Sequence, residues 1–149
     1  MCFALVVYFS AILHKRERVM AQIEVIHATG ILPYEPIGFT NCVLYRDVLY
    51  LSGISATDQN GHAVGDTIEE QTVKTFQNIE TVLKVAGSGL DNILQMTSFV
   101  IDLPRNGWGY VNTRKKILTA PTFTSATIGI SALMSPGLLL EVQCRAALL

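Results

Sequence analysis

The chain has 149 residues, half of them hydrophobic and 15% charged, with a formal net charge of −1. That length holds one domain. The apolar share excludes a disordered tail, and near-neutrality without a basic stripe excludes a surface built for phosphate backbones.

Residues 1–13 (MCFALVVYFSAIL) are almost wholly apolar, and HKRER follows at 14–18. At ~1.5 Å per residue the run reaches about 20 Å, short of the ~30 Å hydrocarbon core. Its charge follows the apolar run, where a secretory signal has it before. Residues 1–20 therefore read as an extension outside the domain, with Met1 as an upstream start. A weak membrane anchor is the less favoured alternative, and no membrane is expected as a partner. The domain is assigned to 21–149. Without residues 1–19 the chain carries 8 basic against 11 acidic side chains, a net −3, which argues further against a nucleic-acid partner.

QIEVIHATG (22–30) alternates loosely and predicts an edge strand, followed by loop chemistry in LPYEP (32–36). VLYRDVLYLSGIS (43–55) is two β-rich runs around a tight turn at Arg46-Asp47, and residues 56–66 form an exposed Gly/Asn/Asp loop. Thr67 and Glu70 make a T-x-x-E capping box. Ile68, Val73, Phe76, Ile79, Val82, Leu83 and Ala86 then recur on one helical face, and Gly87 and Gly89 end it. QMTSFVIDL (95–103) predicts a buried strand. Pro104 opens a second helix with Trp108, Val111 and Ile117 on its apolar face, and Pro121 ends it. TSATIGIS (124–131) and 138–149 are the last strands, with a turn at MSPG (134–137). The order β-β-β-α-β-α-β-β predicts an α+β sheet with two helices on one face.

The last strand separates its side chains by face. Leu138, Leu140, Val142, Cys144 and Ala146 form an apolar side for the helices, while Glu141, Gln143 and Arg145 share the other. That polar side either meets water or meets another subunit. In the second case a partly desolvated Glu141 is suited to proton transfer. The three cysteines, Cys2, Cys42 and Cys144, are widely spaced, and His14, His27 and His62 are scattered. No disulfide framework or metal-ligand spacing results, so a reducing, cytoplasmic location without a metal is expected.

YLSGIS (50–55), TFQNIETVLKVAGSGLDNI (75–93), SFVIDL (98–103), YVN (110–112), SATIGISAL (125–133) and PGLLLEVQCRAAL (136–148) together resemble, in order and spacing, the RidA/YjgF family. The resemblance implies a chorismate-mutase-like fold and a homotrimer with an inner barrel and three clefts between subunits. It also implies hydrolysis of reactive enamine or imine intermediates, such as 2-aminoacrylate, to 2-oxo acids and ammonia, with no metal or organic cofactor. In the family an arginine clamps the substrate carboxylate and a glutamate positions water. Carried over, the glutamate is Glu141, and the substrate-binding positions are Phe39, Gly53, Asn112, Ser125 and Thr127. Phe39 stands where tyrosine is typical, Thr127 where cysteine is, and Ser125 where the arginine belongs. A serine offers one neutral hydrogen bond in place of a bidentate, charged contact. That loss costs about 2–5 kcal/mol at a buried pair, a thirtyfold to several-thousandfold loss of binding. Arg145, about 13 Å along the strand from Glu141, is a poor substitute. The departure argues against classical 2-imino-acid deamination. The expected function is a RidA-like hydrolase acting on a small enamine, imine or related carbonyl-derived metabolite. The alternative is a non-catalytic, small-ligand-binding or regulatory trimer; RNA cleavage is disfavoured by the charge.

Overall fold

The computed structural model describes residues 22–120 and 122–148; the segment 1–21, Pro121 and Leu149 lie outside them. The elements are β1 (Ile23–Ile26), β2 (Cys42–Tyr45), β3 (Val48–Leu51), β4 (Ile54–Ser55), α1 (Ile68–Val85), β5 (Ile93–Ile101), α2 (Leu103–Ile117), β6 (Thr124–Ile130) and β7 (Leu140–Ala147). The sequence order holds, with one addition. The run 43–55 breaks after Leu51, so its end forms the separate short strand β4.

The expected turn at Arg46-Asp47 joins β2 to β3, with Arg46 at φ 56°. The capping box is complete. Thr67 accepts from the Glu70 amide, and the Glu70 carboxylate accepts from the Thr67 amide. At the other end Gly87 takes φ +81°, Ser88 N donates to Leu83 O at 2.8 Å and Gly87 N donates to Lys84 O at 3.0 Å. This paired closure uses up helix-end carbonyls and needs the left-handed backbone that glycine adopts without penalty. Among the described residues α2 ends at Ile117, before the predicted stop at Pro121.

The seven strands form one mixed sheet in the order β1-β2-β3-β7-β5-β6, with β4 also on β7. Among the described residues only β5 and β6 run parallel as hydrogen-bonded neighbours, which requires a crossover, supplied by α2. The helices α1 and α2 pack on each other over β7, β5 and β6. Phe76, Ile79, Leu83, Met96, Tyr110, Leu140 and Val142 fill the space between helices and sheet and are fully buried.

Two apolar residues depart from their predicted places. Val73 is 41% exposed and Trp108 76% exposed, so neither belongs to the core. On α1 the buried flank carries Gln71 and Asn78 instead, because that flank meets loop backbone with unpaired groups. Gln71 Nε2 donates to Gly65 O and Gly137 O, and Gln71 Oε1 accepts from Leu139 N. Asn78 Nδ2 donates to Ser55 O and Thr57 O, both at 2.9 Å. Buried amides satisfied in this way tie α1 to the loops and to β4. Cys144 faces the core as expected. Cys42 is buried too, and burial pushes both thiols up to about 12, so Cys42 has no reactive thiolate.

Candidate functional site

Glu141 lies on β7 opposite Phe99 of β5 and Ser55 of β4, on the sheet face away from the helices. It forms the floor of a cleft of about 680 Å³ whose walls include Tyr34, Phe39, Gly53, Ser55 and Leu138. Three features place and tune the carboxylate. Asn78 fixes the backbone of β4, and Ser55 Oγ then reaches Glu141 Oε2 at 3.4 Å. Gly53 leaves the space that the Glu141 side chain fills, since a β-carbon there would collide with Oε1 and Cδ. Burial raises the Glu141 carboxyl above its ordinary range, with the Ser55 hydrogen bond pulling weakly the other way. The result is a half-buried carboxylate of increased basicity facing a cleft.

Tyr34 was not singled out in the sequence, where it belonged to loop chemistry. It is buried, donates to Gly53 O at 2.7 Å, and its ring centroid lies 4.8 Å from that of Phe39. Burial and the neighbouring Glu141 carboxylate hold its hydroxyl at about 12, so it stays a proton-bearing donor that braces Gly53. Ser55 was missed for a different reason: it looked like the end of a strand. The prolines around Tyr34 and Glu35 gave the available signal, because they fold that segment into a 3-10 turn, Glu35–Ile37, over the cleft. Phe39, 47% exposed, stands at the rim.

The other predicted positions lie elsewhere in the chain. Ser125 and Thr127 pair in register with Met96 and Ser98, so both point to the helix side of the sheet, away from Glu141. Thr127 lines a groove of about 260 Å³ with Leu103, Pro104, Gly107, Trp108 and Val111. Ser125 accepts a hydrogen bond from Arg114 Nη1 at 3.2 Å. Asn112 is exposed on α2. One chain therefore gathers Phe39, Gly53 and Glu141 on one side of the sheet and leaves Asn112, Ser125 and Thr127 on the other. Arg145 stacks on Tyr50, 5.4 Å from its ring centroid, and does not line the Glu141 cleft. Among the described residues no group of three or more His, Cys, Asp or Glu side chains is placed to hold a metal ion, and no helix is long and apolar enough to cross a membrane.

A seven-stranded mixed sheet with two helices on one face and a largely apolar cleft around a single carboxylate on the other defines the class. The profile of the Endoribonuclease L-PSP family matches residues 32–148, and the chain belongs to this family, which is the RidA/YjgF family. The protein mmf2 of Schizosaccharomyces pombe, named as mitochondrial, is 32% identical over 112 residues, covering 73% of this chain and 86% of that protein. The RutC family protein UK114 of Drosophila melanogaster is 31% identical over 111 residues, 72% of this chain and 78% of that one. The crystal structure of yeast Mmf1 superposes with a TM-score of 0.78 at 20% identity, covering 85% of this chain and 98% of that one, a likeness of fold.

Proposed function

We propose that this protein is a RidA-like deaminase that hydrolyses a small enamine, imine or related carbonyl-derived metabolite in clefts between the subunits of a homotrimer. The single observation that carries the reading is Glu141: a half-buried carboxylate of raised basicity, facing a cleft of substrate size and occupying the space left by the missing side chain of Gly53.

The carboxylate takes a proton from water, whose oxygen adds to the carbon of the protonated imine while the C=N electron pair moves to nitrogen, giving a neutral carbinolamine. Glu141 then returns its proton to the nitrogen of the carbinolamine. The hydroxyl proton passes to the Glu141 carboxylate as the C–N bond breaks, the carbonyl forms, and the departing ammonia carries that proton away as ammonium. An enamine enters the same route after tautomerising to the imine. Proton transfer by a positioned group of matched pKa contributes typically ~10²–10⁴-fold, and the rest comes from holding a planar substrate against the base. The opposite placement of Glu141 and Ser125 within one chain supports a cleft shared between copies, with Glu141, Gly53 and Phe39 from one subunit and Asn112, Ser125 and Thr127 from its neighbour.

The test uses imines generated in solution by an amino-acid oxidase, with release of the 2-oxo acid followed above the spontaneous rate. The wild-type protein accelerates release, and Glu141→Gln lowers the rate at least about a hundredfold while remaining folded. No acceleration by the wild type, or equal rates for the two proteins, overturns the reading. Sedimentation tests the trimer directly.

A further inference from the structure

Arg114 is a guanidinium held in place without an acidic partner among the described residues. It stands on α2, one turn after Tyr110, and packs against two rings, 5.1 Å from the Tyr110 centroid and 5.8 Å from the Phe123 centroid. Its Nη1 donates to Ser125 Oγ at 3.2 Å and to Tyr110 OH at 3.3 Å. Tyr110 is itself buried and hydrogen-bonded to Ser98. The head group is thus fixed from below by a core residue and from the side by β6. Among the described residues no carboxylate lies within 4 Å of it, and its Nε and Nη2 groups make no hydrogen bond. Lys115 and Lys116 follow in the same helical turn.

A planar fork of N–H donors, half-buried and oriented by two rings, with a neighbouring hydroxyl and no counter-ion among the described residues, is what a bidentate carboxylate contact needs. We infer that Arg114, braced by Ser125 Oγ, binds the carboxylate of a small anionic substrate at the edge of β6. The positive charge that residue 125 lacks on its own side chain is delivered to that side chain's hydroxyl from the helix. The inference deepens the deaminase reading and rests on it for the word substrate, but carboxylate binding can be measured without turnover. It also narrows the substrate class to small molecules bearing a carboxylate, which readmits the 2-imino acids that Ser125 alone argued against.

Binding of 2-oxobutyrate, a stable product-like carboxylate, is measured by calorimetry on the full-length protein, with the corresponding neutral 2-oxo amide as control. The wild type binds the acid more tightly than the amide. Arg114→Gln weakens the acid at least about thirtyfold, the scale of a lost charged partner, and leaves the amide unchanged. Arg114→Lys recovers part of the difference, and keeps the test open if the glutamine variant does not fold. Unaltered acid binding in either folded variant, an equal loss for acid and amide, or no preference for the acid in the wild type overturns the inference. Tighter binding of inorganic phosphate than of the acid overturns the carboxylate assignment. Arg114-dependent acid binding in a protein that hydrolyses no imine keeps this inference and removes the deaminase reading. Imine hydrolysis that depends on Glu141 but not on Arg114 does the reverse.

Discussion

On the helix side of the sheet, Leu49, Val100, Leu140, Val142 and Ala146 are fully buried within a single chain; on the other side, Val25, Tyr45, Tyr50 and Ile128 stay more than a third exposed. Both faces belong to the same strands, so the difference is not one of β propensity. The first face is completed by α1 and α2, which cover it. The second surrounds a polar stripe, Gln95, Thr97, Gln143 and Arg145, with scattered apolar side chains, a mixture suited to a symmetric contact between copies. The comparison teaches which substitutions should unfold the chain and which, if the proposed trimer forms, should only disassemble it.

The largest effect is expected on the covered face. Phe76→Ala removes a fully buried ring between α1 and the sheet and should cost about 3–5 kcal/mol, read from the urea midpoint. That is a large part of the roughly 5–15 kcal/mol available to a domain. Ile128→Lys, on the open face of edge strand β6, should leave the far-UV signal of the chain intact. If the proposed trimer uses that face, the variant sediments as a smaller species and loses most of its activity. Retained assembly would remove β6 from the interface.

Much of this architecture was readable from local rules. The alternation of β7 separated its faces, and Thr67, Glu70 and Gly87 bounded α1 through hydrogen bonds that close within a few residues. Hydrophobicity failed at Val73 and Trp108, because a side chain's burial depends on what lies opposite it, and no local pattern reports that. Gln71 and Asn78 are buried for the complementary reason: their partners, Gly137 O and Ser55 O, lie 66 and 23 residues away. The site divides in the same way. Glu141 could be placed from its strand, and Gly53 from the resemblance. Tyr34 and Arg114 act through contacts with residues 19 and 11 positions distant. The spacing of Tyr110 and Arg114 on one helical face was the sole local trace of the second.

An intermediate effect is expected at Gly53. Alanine there adds one carbon on the exposed side of the sheet, and the nearest obstacle is the Glu141 carboxyl, a movable side chain. The fold should therefore survive, with a melting temperature within a few degrees of wild type. The carboxylate must swing away from Ser55, and activity should fall at least about tenfold, since small misplacements of a reacting group are expensive. A Gly53→Ala protein with full activity would mean that Glu141 works from another rotamer. A Gly53→Ala protein that fails to fold would mean that residue 53 serves the backbone rather than the site.

The smallest effect separates a tuned carboxylate from a solvated one. Burial raises the Glu141 pKa above its ordinary 4.5, so the folded chain holds this proton more tightly than the unfolded chain does. Between the unfolded and folded values, unfolding releases a proton, and stability falls as pH rises through that window. Above it the whole cost of keeping the ionised group half-buried is present. Glu141→Gln carries no such cost. The variant should melt slightly above wild type at neutral pH, by an amount that shrinks as the pH drops through the folded value and vanishes below the unfolded one. Calorimetric scans of both proteins between about pH 4 and pH 8 measure the difference. A gain in stability together with a loss of activity is the signature of a group held in an unfavourable state for its chemistry. Superimposable curves across the range would mean that water reaches Glu141 as freely as any surface carboxylate, and its assignment as the base would fail with them.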